Sequence, residues 1–260
     1  MSKVLVQLVE ELRAGSLLVI DLTQPLSPET PILPLPTQFQ NTPRFRMWEL
    51  SHYDERGPAW YWNGFETGEH TGTHFDAPVH WISGKDLSNN SVDRIPARLF
   101  IGPACVLDIT ERAARNPDYL VTVSDVTAWE KRNGKIPQAS WVLLRTGWSK
   151  KSAESYINLK DDGPHTPGLT KECSELLAKE RDILGLGVET VGTDAGQAAK
   201  FDPPFPNHYV MHGGGKFGLA GLAQLDLLPE CGAIVIAAPL KIVNGSGSPV
   251  RAIAIVPTSH

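Results

Sequence analysis

The segment that most restricts how this chain can fold is GEHTGTHFDAPVHW, Gly68 to Trp81. It places three of the chain's eight histidines, and an aspartate, within the eleven residues from His70 to His80. Chance placement would leave only about 0.3 histidines in such a window. Pro78 and Gly72 both oppose a continuous helix, so His70 and His74 are not expected on a regular helical face. In an extended segment His74 and Asp76, two residues apart, project to the same side. Gly72 lets the backbone turn sharply enough for His70 to come round and join them. Two neutral imidazoles and one carboxylate suit a divalent first-row metal with positions left open for water and substrate. A structural zinc site would instead be closed by four ligands, usually including cysteine, and no cysteine is near.

The rest of the chain gives this segment a setting. With 260 residues, 41% hydrophobic and 20% charged, it has ample material for a core. A net charge of −5 and the lack of any basic stripe argue against nucleic acid or an anionic membrane as partner. Cys105, Cys173 and Cys231 are odd in number, far apart and form no CxxC pair, so a disulfide framework is not expected and a reducing cytoplasm fits. The N-terminus reads as a helix over 1–15, not a signal peptide: Val4, Leu5, Leu8, Val9 and Leu12 fall at helical spacing and Gly15 closes it. No apolar run has the length of a membrane span.

SLLVIDL then reads as a buried strand. Residues 25–67 read as Pro-rich and then aromatic-rich loops, lining either a pocket or an interface. ACVLDIT and SWVLLRT read as short buried strands. The helix between them has Ser124 as N-cap, Asp125 in its first turn and Gly134 as its stop. A second helix starts at Thr170, turns Leu176, Leu177 and Ile183 to one face and feeds a strand. At the end AIVIAAPLKI and PVRAIAIVP pair as an antiparallel hairpin across NGSGS. Strands alternating irregularly with a few helices make this a single mixed α/β domain over 1–260.

The pattern His70-x-Gly72-Thr73-His74-x-Asp76-x-Pro78-x-His80 resembles the signature of the cyclase-like metal-dependent hydrolases. That family includes bacterial kynurenine formamidase and isatin hydrolase. Weaker likeness runs through LLRTGW, GVETVGTD and GSGSPVRAIAI, and so covers most of the chain. The resemblance implies a swivelling β/β/α-type fold with a central sheet or barrel, flanking helices and assembly as a homodimer or larger homo-oligomer. It implies His70, His74 and Asp76 as metal ligands, with His80 beside them as an acid/base or as a group supporting the ligands. The formamidase branch resembles a two-metal site completed by a downstream histidine and a bridging glutamate. Here His208 and His212 are present, but Ala223 and Gln224 stand where that glutamate is expected. The run from Gly68 to Trp81 is most similar to the mononuclear isatin hydrolase branch. One divalent metal per subunit is therefore expected, with Mn2+ preferred over Zn2+ by resemblance.

Such a cation lowers the pKa of its water, polarises a carbonyl and stabilises the oxyanion formed when hydroxide attacks a lactam or amide carbon. His80 is the candidate proton shuttle to the leaving nitrogen. A flat aromatic substrate would stack on rings, and Trp60 and Trp62 alternate so as to face one way. Trp81 follows His80 directly, Phe39 lies in the preceding loop, and His212 and Gln224 are neutral groups able to contact water or substrate. The expected reaction is hydrolysis of a cyclic amide such as isatin. N-formylkynurenine, a carbamate, an imide or a dienelactone are alternatives.

Two readings of other classes compete. His74-x-Asp76 with His208 or His212 could form the facial triad of a non-haem iron oxygenase, which leaves His70 and His80 without a role. A metal-binding module without catalysis would have a saturated shell and no cleft. The GGGKFG run from Gly213 matches GxGxxG, but it follows no apolar strand and reads as a flexible loop entering a helix at Leu219.

Overall fold

The computed structural model describes residues 2–36 and 38–258. Helix α1 (Lys3–Ala14), stopped by the left-handed Gly15, leads into β1 (Leu17–Asp21). After a long irregular stretch come β2 (Arg46–His52), β3 (Tyr61–Glu66) and the three-residue β4 (His74–Asp76). Then follow β5 (Ile101–Asp108), α2 (Thr110–Arg115), the two-residue β6 (Leu120–Val121), α3 (Val123–Asn133) and β7 (Trp141–Arg145). Helix α4 (Ala153–Tyr156), the short β8 (Leu159–Lys160), β9 (Gly163–Pro164) and β10 (Gly168–Leu169), and α5 (Lys171–Glu175) lead to β11 (Gly185–Val188). Helix α6 (Pro206–Gly213), β12 (Phe217–Ala220), β13 (Cys231–Ile236), β14 (Gly247–Pro249) and β15 (Ile253–Pro257) finish the chain.

Nine of these strands form one mixed sheet in the order β1-β15-β13-β5-β7-β11-β12-β4-β14. The middle four, β5 to β12, run parallel, and both flanks are antiparallel. The sheet curls on itself: Thr23, just past β1 at one edge, bridges to Leu222, just past β12 near the other. Side chains alternate between two cores. Leu143 turns inward with Phe75, Trp141, Leu219 and Leu222, whereas its neighbours Val142 and Leu144 face α3, α5 and α6 with Trp129, Leu177 and Met211. This is the mixed α/β architecture expected from the alternating strand and helix patterns. No helix among the described residues is long and apolar enough to cross a membrane.

Several local expectations are corrected. SLLVIDL is an edge strand, not a buried one: Leu18 and Val19 are about half exposed, because β1 has a neighbour on one side only. Residues 46–66 are not loop but the antiparallel hairpin β2–β3, whose strands carry the β-favouring rings Trp48, Tyr61, Trp62 and Phe65. Helix α3 is capped by Thr122 rather than Ser124, in a reciprocal box with Asp125. The helix from Thr170 relaxes into a wider turn over Leu176–Glu180, and Ile183 lies beyond it. Leu219 belongs to strand β12, not to a helix, since Gly213 has already ended α6. β13 and β15 do pair, but NGSGS is no tight hairpin turn between them. It carries β14 across to β4.

Candidate metal centre

Strand β4 is held on both sides. Asp76 lies opposite Gly218 of β12 and Gly247 of β14, and His74 opposite Ala220 and Pro249. Phe75 points into the inner core against Phe100, Trp141 and Phe217, so alternation sends His74 and Asp76 to the other face. Thr73 pins the entry: its hydroxyl donates to the Gly221 carbonyl at 2.6 Å and accepts from the Gln24 N–H. Beyond the strand, Pro78 opens a single tight turn, Pro78–His80, that folds the His80 ring onto His70, centroids 3.8 Å apart. The two facing glycines make the room. A Cβ at Gly218 would lie 2.5 Å from Asp76 Oδ2, and one at Gly247 would lie 2.6 Å from the His70 ring.

The outer hydrogen bonds fix which ring nitrogens point inward. Ser246 donates its only hydroxyl proton to Glu69 Oε2 at 2.5 Å, so its oxygen accepts from His70 Nε2–H at 2.8 Å. His70 Nδ1, left with a lone pair, lies 2.7 Å from Asp76 Oδ1. His74 donates Nδ1–H to the Gly72 carbonyl at 2.9 Å, which leaves Nε2 facing Asp76 Oδ1 at 3.3 Å. Two lone pairs and a carboxylate thus converge with no proton of their own to share. Such a group is satisfied by a cation. All three ligand atoms fall within 4.8 Å of one another.

A second set shares Asp76. His208 and His212 project from α6, and their ligand nitrogens with an Asp76 oxygen also lie within 4.8 Å of one another. Asp194 binds His208 Nδ1 at 2.5 Å and also accepts the Asn207 and His208 backbone N–H groups, so one carboxylate both caps α6 and orients the ring. His212 gives Nδ1–H to the Lys216 carbonyl at 3.1 Å, and its buried Nε2 has no protein partner. Both inner sets therefore repeat one design, an imidazole locked from outside with its free nitrogen turned to Asp76.

The charges follow. Burial alone would raise the Asp76 carboxyl, but His74 and His70 outweigh it and hold it well below the usual range. Burial would lower His74, yet Asp76 raises it, the mark of a place that favours positive charge. For His80 burial outweighs the pull of Asp76. Burial, helped by the surrounding imidazoles, pushes it down to about 2, and His212 falls to about 4 for the same reason. His208 resists burial through Asp194 and ends raised.

A family model described as Cyclase matches residues 20–195. The chain belongs to the cyclase family. It is 46% identical to an isatin hydrolase of Roseibium aggregatum over 250 residues, 95% of each chain. It superposes on isatin hydrolase A of Labrenzia aggregata bound to benzyl benzoate with a TM-score of 0.97 and 53% identity, over 98% of this chain and all of that one. An isatin hydrolase bound to the product analogue thioisatinate is similar at TM-score 0.96 and 46% identity, over 99% of this chain and all of the other.

Within this cyclase-family fold, the residues singled out by sequence divide into two groups. His70, His74, Asp76, His80 and His212 come together. Trp81 joins them, its ring 6.2 Å from His80 and 4.9 Å from His208. Trp60 and Trp62 do share one face, edge to face at 6.4 Å, but they stand half exposed on the β2–β3 hairpin. Phe39 is exposed in its loop. Gln224 is not brought to the histidines, because its amide donates to the Asp21 backbone carbonyl at 2.7 Å. Sequence reasoning missed Asp194, Ser246 and Glu69. Asp194 ends the GVETVGTD run and Ser246 sits inside NGSGS, so both lay in stretches noticed for other reasons.

Proposed function

We propose that this chain is a metal-dependent hydrolase that opens the lactam ring of isatin to give isatinate. The observation that carries the reading is the convergence of outward-locked imidazoles on Asp76, a donor set that fits one divalent cation. Support for the substrate comes from the isatin hydrolases to which the chain is 46–53% identical over nearly its whole length. His70, His74 and Asp76 hold the ion, Mn2+ in preference to Zn2+. When bound it supplies Lewis acidity to water and to the lactam carbonyl.

The chain's own residues divide the remaining work. His80, stacked on His70 beside the ligands, takes the proton of the attacking water at a ring nitrogen and returns it to the departing nitrogen. His208, backed by Asp194, stands beside His80 with ring centroids 5.6 Å apart and helps orient the substrate. Trp81 beside them offers a face on which a flat bicyclic substrate stacks. The exposed aromatic hairpin is the face through which two copies associate as a homodimer in the cytoplasm. The deciding experiment strips the metal, refills the protein with manganese or zinc, and assays isatin beside N-formylkynurenine. Manganese-dependent opening of isatin is expected. Turnover of neither compound would remove the substrate assignment.

A further inference from the structure

A cavity of about 470 Å3 has His208, a member of the Asp76 cluster, in its lining. Leu33, Leu35, Val191, Pro164 and Phe205 give it a largely apolar wall. His208 and Asp194, the pair just described, form its polar end. Phe205 also touches Trp81, with ring centroids 5.5 Å apart, which links the cavity lining to the ring beside His80. At its rim Lys200 and Asp162 form a solvent-exposed ion pair at 3.0 Å. The volume falls in the range, roughly 300–1,000 Å3, of sites that enclose drug-sized ligands, and exceeds what a bare two-ring lactam occupies.

We propose that this cavity is a specificity subsite that receives an apolar extension of the substrate's benzo ring, so that aryl-substituted isatins are accepted beside the parent compound. The proposal rests on the reading of the chain as an isatin-opening hydrolase. An apolar wall recognises such an extension by removing it from water, while the reacting lactam stays at the histidines. The apolar wall excludes a charged extension, whose desolvation would go uncompensated there.

Two lining glycines show where the space is open. A Cβ at Gly196 would strike the Pro164 carbonyl oxygen at 2.4 Å, whereas one at Gly192 would meet nothing within 4 Å, and the Gly192 backbone is not left-handed. Gly192→Phe therefore places a ring in open space without straining the chain, and Ala199→Phe blocks the cavity from another segment.

The test measures kcat/KM for isatin and for its 4-, 5-, 6- and 7-phenyl derivatives. It adds calorimetric binding of the ring-opened phenylisatinates to the metal-loaded protein. At least one phenyl isomer should lie within thirtyfold of isatin. In the two blocked variants its preference relative to isatin should fall at least tenfold. Wild-type protein that discriminates more than thirtyfold against all four isomers, or blocked variants with an unchanged ratio, would overturn the subsite. If no isatin is opened at all, the reaction assignment fails by itself. Binding then decides the cavity: tenfold weaker phenylisatinate binding in both blocked variants supports it, and equal binding overturns it.

Discussion

The metal cup and the β2–β3 hairpin are both dense in rings, yet their rings are held in opposite ways. Around Asp76, four imidazoles each have one nitrogen tied to an outer acceptor: Ser246 Oγ, the Gly72 carbonyl, Asp194 or the Lys216 carbonyl. On the hairpin, Trp48, Trp60, Tyr61 and Trp62 remain about half exposed, and the hairpin's main packing is one strand on the other. Ring content alone does not make a site. What separates the two regions is the supply of fixed partners from distant parts of the chain, which converts flexible side chains into an organised donor set.

The largest effect that would break this contrast is at the cup. His74→Ala should lose bound metal and reduce turnover by at least about 1,000-fold, checked by metal analysis and isatin assay. A fully active variant would overturn the ligand assignment. Gly218→Ala tests whether the cup is shaped as tightly as it is wired. Its Cβ would crowd Asp76, so metal affinity should fall about 10- to 100-fold and stability by about 1–3 kcal/mol, read by chelator competition and thermal melts. Asp194→Asn removes the charge behind His208. It should lower kcat roughly tenfold or more while KM moves less than about threefold, since the ring's orientation rather than substrate contact is disturbed. The smallest effect belongs to the arm. Replacing Trp60 and Trp62 by alanine should change the stability of the isolated chain by no more than about 0.5 kcal/mol, in denaturant titrations at high dilution. The same variant should weaken self-association in sedimentation, and a wild-type protein that never associates would break the homodimer proposal.

How far the sequence was legible follows the same division. The spacing of His70, His74 and Asp76 was enough to anticipate an extended segment with a turn at Gly72, because strand alternation and glycine freedom are local properties. The mixed α/β class was legible for a similar reason, from strand and helix patterns a few residues long. Ser246 was not, since it meets His70 across 176 positions and nothing in NGSGS announces a histidine. Asp194 reaches His208 across 14 positions and through a helix terminus, a pairing that only the placement of α6 creates. Gln224 stands where the family's pattern has a glutamate, and its bond to the Asp21 carbonyl, 203 positions away, is a contact that only the fold creates. Leu219 misled because a glycine run suits a helix entry as well as a strand, and pairing with β11 and β4 decided for the strand.

The acceptor for His70 and the outer neighbour of β4 both come from residues 246–249, within the last fifteen positions of the chain. While the ribosome is still adding those residues, His70, His74 and Asp76 have already been made but lack the partners that lock them. The 170 positions from Asp76 to Ser246 take roughly ten to thirty seconds at about 5–20 residues per second. A cup wired in this way is assembled late in synthesis, when residues 246–249 reach the ligands made long before them.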